Sequence, residues 1–283
     1  ALNLTANTNL QSIDCSNNEI SNLNISGIIG LTDLSCYLNE LSIIDVSTNT
    51  SLENFFCSSN NLSNLDITTN LNLQDLDFWG NSITSLNTST NTNLTHIRCD
   101  FNNLSSFDLT TNTSLNSLEC NNNNLQHLEL SSNPIYVLLC YDNPNLQSVD
   151  LRNGLNSNIL LLEAFDNPLL TCLYVDNVVL ENPESWFFDS NTHLVVTEAE
   201  CDALRIETFS NAAVTLYPNP AQDYFSLSGK TPTREITLHD LNGRKIKSFD
   251  VAEKYDISDI SNGLYIIKIT SEAQSFIFRL LKS

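Results

Sequence analysis

Basic residues are scarce in this chain, and their scarcity is uneven. The 283 residues carry 12 Lys and Arg against 33 Asp and Glu, a net charge of −21. No lysine precedes Lys230, and residues 1–207 hold only Arg98, Arg152 and Arg205 as cations. So acidic a stretch repels phosphate backbones, which argues against nucleic acid as a partner. Long apolar runs are missing as well. None approaches the roughly 18 residues of a membrane span, so no transmembrane segment is expected. No signal peptide is seen, and the chain starts inside a repeat at Leu2 and Leu4, so it reads as mature or trimmed. With only 7 glycines there is little room for a phosphate loop, and neither G-x-S-x-G nor H-E-x-x-H occurs. The four histidines, His96, His127, His193 and His239, are scattered, none at metal-ligand spacing from a cysteine or carboxylate. The expectation is a protein with no catalytic residues and no metal site, hence not an enzyme.

What is present in quantity is a period of 21 residues. The frame Leu10-x-x-Ile13-x-Cys15-x-x-Asn18-x-Ile20 returns at Leu31-Leu34-Cys36-Asn39-Leu41 and at Leu52-Phe55-Cys57-Asn60-Leu62. It returns again at Leu73-Leu76-Phe78-Asn81-Ile83, at Leu94-Ile97-Cys99-Asn102-Leu104 and at Leu115-Leu118-Cys120-Asn123-Leu125. Two looser turns follow, through Ile135-Leu138-Cys140-Asn143 and Ile159-Leu162-Ala164-Asn167. An apolar pair separated by one residue predicts a short strand with both members inward and the middle one outward. Stacked coils then turn each position into a column of like residues. The Asn column can satisfy corner backbone groups, a structural role. The second half of each turn, such as Ile44-x-Val46 or Leu65-x-Ile67, predicts a further strand, closed by a Ser/Thr/Asn turn that disfavours helix. At these residues, over roughly 1–175, the chain resembles the leucine-rich-repeat family.

Six cysteines (Cys15, Cys36, Cys57, Cys99, Cys120, Cys140) share one inward position. They read as small buried hydrophobes with free thiols, since a one-sided ladder does not offer zinc a tetrahedron. Cys172 and Cys201 fall outside the register, around a stretch containing Trp186, Phe187 and Phe188. A solenoid end needs a cap. This segment resembles the terminal caps found after such repeats in surface proteins of the Bacteroidetes group, and a Cys172–Cys201 disulfide is expected to staple it.

Residues 208–283 differ in charge, with 8 acidic and 9 basic residues. They read as short strands near 214–217, 224–227, 235–241, 244–251, 263–269 and 275–281, with Asn242-Gly243 as a hairpin signal. Three features resemble the C-terminal sorting domain of the type IX secretion system. They are Leu216-Tyr217-Pro218-Asn219-Pro220, the Asp240–Gly243 turn, and Asn262-Gly263-Leu264-Tyr265 with a basic tail at Lys282. The resemblance implies export through the outer membrane, the secretion machinery as a partner, and a secreted or cell-surface location. The expected fold is therefore mostly β: a leucine-rich-repeat solenoid of about eight 21-residue coils with little helix, then a small Ig-like β-sandwich. The expected organisation is solenoid at 1–175, cap at 176–207 and sorting domain at 208–283.

The resemblance also implies that outward strand residues line a concave face. Tyr37, Phe56, Trp79 and Phe101 break its Asn/Ser pattern on consecutive coils, with Asp75, Asp77, His96, Arg98 and Asp100 beside them. Clustered exposed aromatics mark contact sites. Stacking across coils would equally explain them. The expected function is protein binding or adhesion through this face, the ligand being a protein or a surface glycan. A carbohydrate-binding or ice-binding surface protein is the alternative, the latter from Ser/Thr rows such as 47–48, 68–69, 89–90 and 110–111. No cofactor is expected. Calcium on the acidic column Asp45, Asp66, Asp108, Glu129 and Asp150 is the one candidate, set against plain solvation.

Overall fold

Apolar pairs returning every 21 residues build strands of three residues that stack in register. In the computed structural model, which describes residues 1–179, 183–205, 215–228, 233–240, 243–271 and 275–282, nine such strands form one parallel sheet. They are Ser12–Asp14, Asp33–Ser35, Asn54–Phe56, Asp75–Asp77, His96–Arg98, Ser117–Glu119, Val137–Leu139, Leu161–Ala164 and Trp186–Phe188. The inward column runs Ile13, Leu34, Phe55, Leu76, Ile97, Leu118, Leu138, Leu162 and Trp186. From Leu34 to Leu162 these residues are at most 1% exposed. The ladder thiols from Cys36 to Cys140 are free and buried, and burial raises the thiol pKa, to about 12 at Cys140.

Two expectations change. The stretch around Trp186 is not an irregular cap but a ninth coil. Trp186 pairs with Leu162, and His193–Val195 pairs with Cys172–Tyr174 on the opposite side. A short helix, Glu198–Arg205, then closes the end. Thr197 Oγ1 accepts from the Glu200 amide while the Glu200 carboxylate accepts from the Thr197 amide, a reciprocal N-terminal cap, and from the Val196 amide as well. The Cys172–Cys201 disulfide fastens that helix to the last coils.

The second change concerns the other side of each coil. Regular strands form there only near the ends: Leu2–Asn3 with Leu23–Asn24, and His127–Glu129, Ser148–Asp150, Cys172–Tyr174 and His193–Val195 as a second parallel sheet. At 44–46, 65–67, 86–88 and 107–109 the chain runs extended without strand pairing. The carbonyls of Val46, Ile67, Thr88 and Leu109 accept from asparagine side chains of the next coil. Asp45, Asp66, Asn87 and Asp108 each accept the amide two residues on. A second asparagine column, Asn49, Asn70, Asn91, Asn112 and Asn133, lies fully buried and donates to carbonyls of the preceding coil.

That second column carries an unmet acceptor. The Oδ1 atoms of Asn49, Asn70, Asn91 and Asn133 are buried without a partner, whereas Asn112 Oδ1 accepts from Thr88 Oγ1 at 2.9 Å. The residues 24 before the orphans are Ile25, Val46, Ile67 and Leu109, which cannot donate. Thr88→Val should therefore destabilise by about 1–2 kcal/mol in urea unfolding. Val46→Thr, which gives Asn70 a donor, should be neutral or stabilising by up to about 1 kcal/mol. The opposite ordering of the two variants would refute this account.

The chain divides into two units, Ala1–Cys201 and Asp202–Ser283. The boundary expected at 207/208 lies outside the described residues. The second unit holds a three-stranded and a four-stranded antiparallel sheet. Its core is formed by Ala221, Phe225, Ile236, Leu238, Tyr255, Ile257, Ile267, Ile269 and Leu280. Strands Thr233–His239 and Lys245–Phe249 pair across the expected hairpin, whose Leu241 and Asn242 are outside the described residues.

Candidate binding surface

The nine-stranded sheet presents three outward columns, and its register fixes which side chains are neighbours. The central column, formed by the residue after each inward one, reads Ser35, Phe56, Asp77, Arg98, Glu119, Leu139, Glu163 and Phe187. On one side of it run Asp33, Asn54, Asp75, His96, Ser117, Val137 and Leu161. On the other lie the residues that follow the ladder position: Tyr37, Ser58, Trp79, Asp100, Asn121, Tyr141 and Phe165.

Arg98 is the hub. Its guanidinium lies 3.1 Å from Asp100, 3.3 Å from Glu119 and 4.0 Å from Asp77. It also sits 5.2 Å above the Trp79 ring. Asp75, Asp77, Trp79, His96, Arg98 and Asp100 thus share two adjacent coils. Tyr37 is two coils from Trp79 in the same column, and Phe56 occupies the central column between them. Phe101 stands apart: it is the left-handed corner residue, φ 50°, in series with Leu38, Ser59 and Gly80. Among the described residues no ring pair links these four aromatics; the ring pair on this face is Tyr141 with Phe165.

The acids of the hub are held at a cost. Burial, partly opposed by Arg98, raises Asp77 and Asp100 to about 6, and burial raises Asp75 as well. A carboxyl whose folded pKa is raised binds its proton more tightly in the folded state. Its stabilising contribution is full below the unfolded value of about 3.9 and is lost as pH rises through about 6. The solenoid should be more stable at pH 5 than at pH 7.5, by roughly 2–3 kcal/mol, and Asp77→Asn should about halve that difference. Urea midpoints at the two pH values measure it; equal midpoints would remove the basis for it. Below about pH 4 the sign reverses. Asp45, Asp66 and Asp108 are lowered by Ser and Thr hydroxyl and amide bonds, and stability held by their charged form is then lost.

Those bonds also give the acidic column its role, which is to close turns. Among the described residues no group of three His, Cys, Asp or Glu is placed to hold a metal ion. In the Ser/Thr rows, the Thr69 and Thr90 hydroxyls donate to the Ser47 and Thr68 carbonyls of the coil before. On the second sheet a groove of about 290 Å³ is lined by His127, Ser148, Asp150, Arg152, Tyr174 and Glu198, among others. Arg152 spans it to Asp150, Glu198 and the Val196 carbonyl, stacked 4.7 Å over Tyr174, and so clamps the closing helix. Nothing in the repeat pattern singled out this clamp.

In the second unit the separated motifs meet at the last strand, Ser275–Lys282. Asn219 donates to the Arg279 carbonyl at 2.7 Å and accepts from the Leu281 amide at 2.9 Å. Gly263 pairs with Lys282, which is only 8% exposed. Tyr265 donates its hydroxyl proton to the Ser261 carbonyl. Leu216 packs on the core, Tyr217 is exposed, and the peptide bonds before Pro218 and Pro220 are cis.

Residues 215–283 match the family described as the secretion system C-terminal sorting domain. No match was found among curated proteins. Among solved structures, the functional domain of InlJ from Listeria monocytogenes, described as including a cysteine ladder, is similar over 99% of this chain and 68% of its own. The TM-score is 0.58 at 20% sequence identity. The internalin inlF from Listeria monocytogenes covers 69% of each chain, with TM-score 0.43 and 14% identity. A leucine-rich-repeat protein of Leptospira interrogans covers 52% of this chain and 46% of its own, with TM-score 0.37 and 19% identity. The solenoid has the leucine-rich-repeat fold, residues 215–283 match a secretion sorting domain, and no helix among the described residues is long and apolar enough to cross a membrane.

Proposed function

We propose that this exported leucine-rich-repeat protein binds a protein partner outside the cell through the outward face of its nine-stranded sheet, and that it acts by adhesion, not catalysis. One observation carries the reading: two carboxylates, Asp77 and Asp100, are largely buried on the outward side of the sheet, where each accepts one backbone amide, from Trp79 and from Asn121, and shares Arg98. At the same register positions other coils use Ser35, Ser58 or Asn121. Residues that cost stability where the fold offers cheaper choices point to selection for contact. Trp79 and Arg98, a half-buried ring under a guanidinium, are the residue types that anchor interfaces.

The test is binding of the full chain to an array of extracellular proteins, followed by titration of any ligand against Trp79→Ala. The variant should lose about 30-fold in affinity, roughly 2 kcal/mol, while its melting temperature moves by less than about 3 °C. A large drop in melting temperature with unchanged binding would make Trp79 a structural residue and end this reading of the site.

A further inference from the structure

We propose that the far end of the same face, around Leu139, Tyr141 and Phe165, docks a polypeptide segment that presents an apolar side chain flanked by lysine or arginine. This rests on the reading of the face as a binding surface and names the partner's chemistry. Up to residue 121 the outward columns are mostly polar or charged. From residue 137 they turn apolar: Val137, Leu139, Tyr141, Leu161 and Phe165 are half-buried, and Phe187 is 49% exposed. The fold does not require this, because the inward neighbours Leu138, Cys140, Leu162 and Ala164 already fill the core. An unpartnered apolar patch of this kind marks a contact surface.

Its rim is acidic. In the central column Leu139 lies between Glu119 and Glu163. Burial raises the Tyr141 hydroxyl pKa, and Asp100, Glu163, Asp142 and Glu119 raise it further. Arg98 is the cation beside them and is already held by Asp77, Asp100 and Glu119. Among the described residues no ion pair reaches Glu163 or Asp142. An apolar centre within uncompensated negative charge selects a cationic partner and repels phosphate-bearing surfaces. Strand spacing puts Glu119 and Glu163 about 10 Å apart, a distance an extended chain covers in three residues. Alternate side chains of an extended chain share a face, so long basic side chains two residues before and two after the apolar one can reach both carboxylates. Tyr141 and Phe165 stack at 4.9 Å with planes 3° apart, so each covers one face of the other.

A random peptide library displayed on phage, panned against the full chain, tests this. Enriched peptides should carry an apolar residue between basic ones. The best of them, titrated by fluorescence anisotropy, should lose about 10-fold in affinity with Leu139→Asn and about 5-fold with Glu163→Gln. Binding should weaken at 0.5 M salt, roughly fivefold the ionic strength of a 0.1 M buffer. Both variants replace outward residues, and unchanged melting curves confirm that they fold. No enrichment, enrichment of acidic or uncharged peptides, or wild-type affinity in both variants would overturn the proposal. If Trp79→Ala alone abolished binding, this docking site would fall while the wider binding face stood. If no substitution on the face mattered, both would fall.

Discussion

Asn102→Ala should destabilise the solenoid by about 3 kcal/mol, one of the largest losses expected from removing a single polar side chain. Its amide donates to the carbonyls of Phe78, Cys99 and Asp100, each at 3.1 Å, and its Oδ1 accepts from the Ile83 amide at 2.9 Å. Asn102 is 6% exposed and Ile83 fully buried, so water cannot replace these bonds. Alanine leaves one amide and at least one carbonyl unpaired in the interior. The matched control is Asn18→Ala. Asn18 holds the same place in the first coil but is exposed, and it donates only to Cys15 and Ser16. That variant should lose less than about 1 kcal/mol. Urea unfolding of the pair decides the matter: equal losses would show that the asparagine column is turn chemistry alone.

Phe78→Cys should cost about 3–4 kcal/mol even though it completes the thiol ladder. Phe78 stands between Cys57 and Cys99 in the inward column and is fully buried. The coil around it has settled on a phenyl ring. A thiol there leaves a cavity that neighbours locked in register cannot collapse to fill, and cavity volume sets the penalty. Phe78→Leu should recover about half of the loss. If Phe78→Cys were as stable as the parent protein, the column would be far more plastic than its burial indicates.

The inner sheet was legible because one spacing carries all the information that parallel register needs. Leucine and cysteine repeat at positions that can only be inward, and a strand slipped by one residue would turn them out. The ninth coil was not legible. Trp186 follows its register partner Leu162 by 24 residues instead of 21 and stands where Leu is expected. The second asparagine column was hidden by chemistry. Asn in a Ser-Thr-Asn-Thr run is what a turn prefers, and the pattern does not separate a turn residue from a buried donor. The same ambiguity made strands of 44–46 and 65–67, where apolar alternation is real but side chains do the pairing. The charged half of the candidate face was visible from Arg98 and its acids. The apolar half was not singled out, since Phe165 and Phe187 sit on the loosely spaced coils. Phe101 looked like a member because it follows Asp100, but the left-handed corner turns it away from the strand. In the second unit, Asn219 and Lys282 were legible as motifs and not as neighbours, because 63 residues separate two groups that the last strand brings together.

The stacking of coils has a mechanical side. Each coil is bonded only to the one before and the one after, so a pull on the two ends of Ala1–Cys201 loads those contacts in series, not in parallel. Coils would peel away singly, each releasing 21 residues, about 70 Å of extended chain. Tension would therefore be dissipated stepwise and not concentrated at one rupture. The Cys172–Cys201 bridge sets the limit of that process. The chain between the two sulfurs, spanning a sequence separation of 29, carries no load while the bond is intact. Unravelling of coils under load stops at this bridge, which keeps the last coils covalently closed.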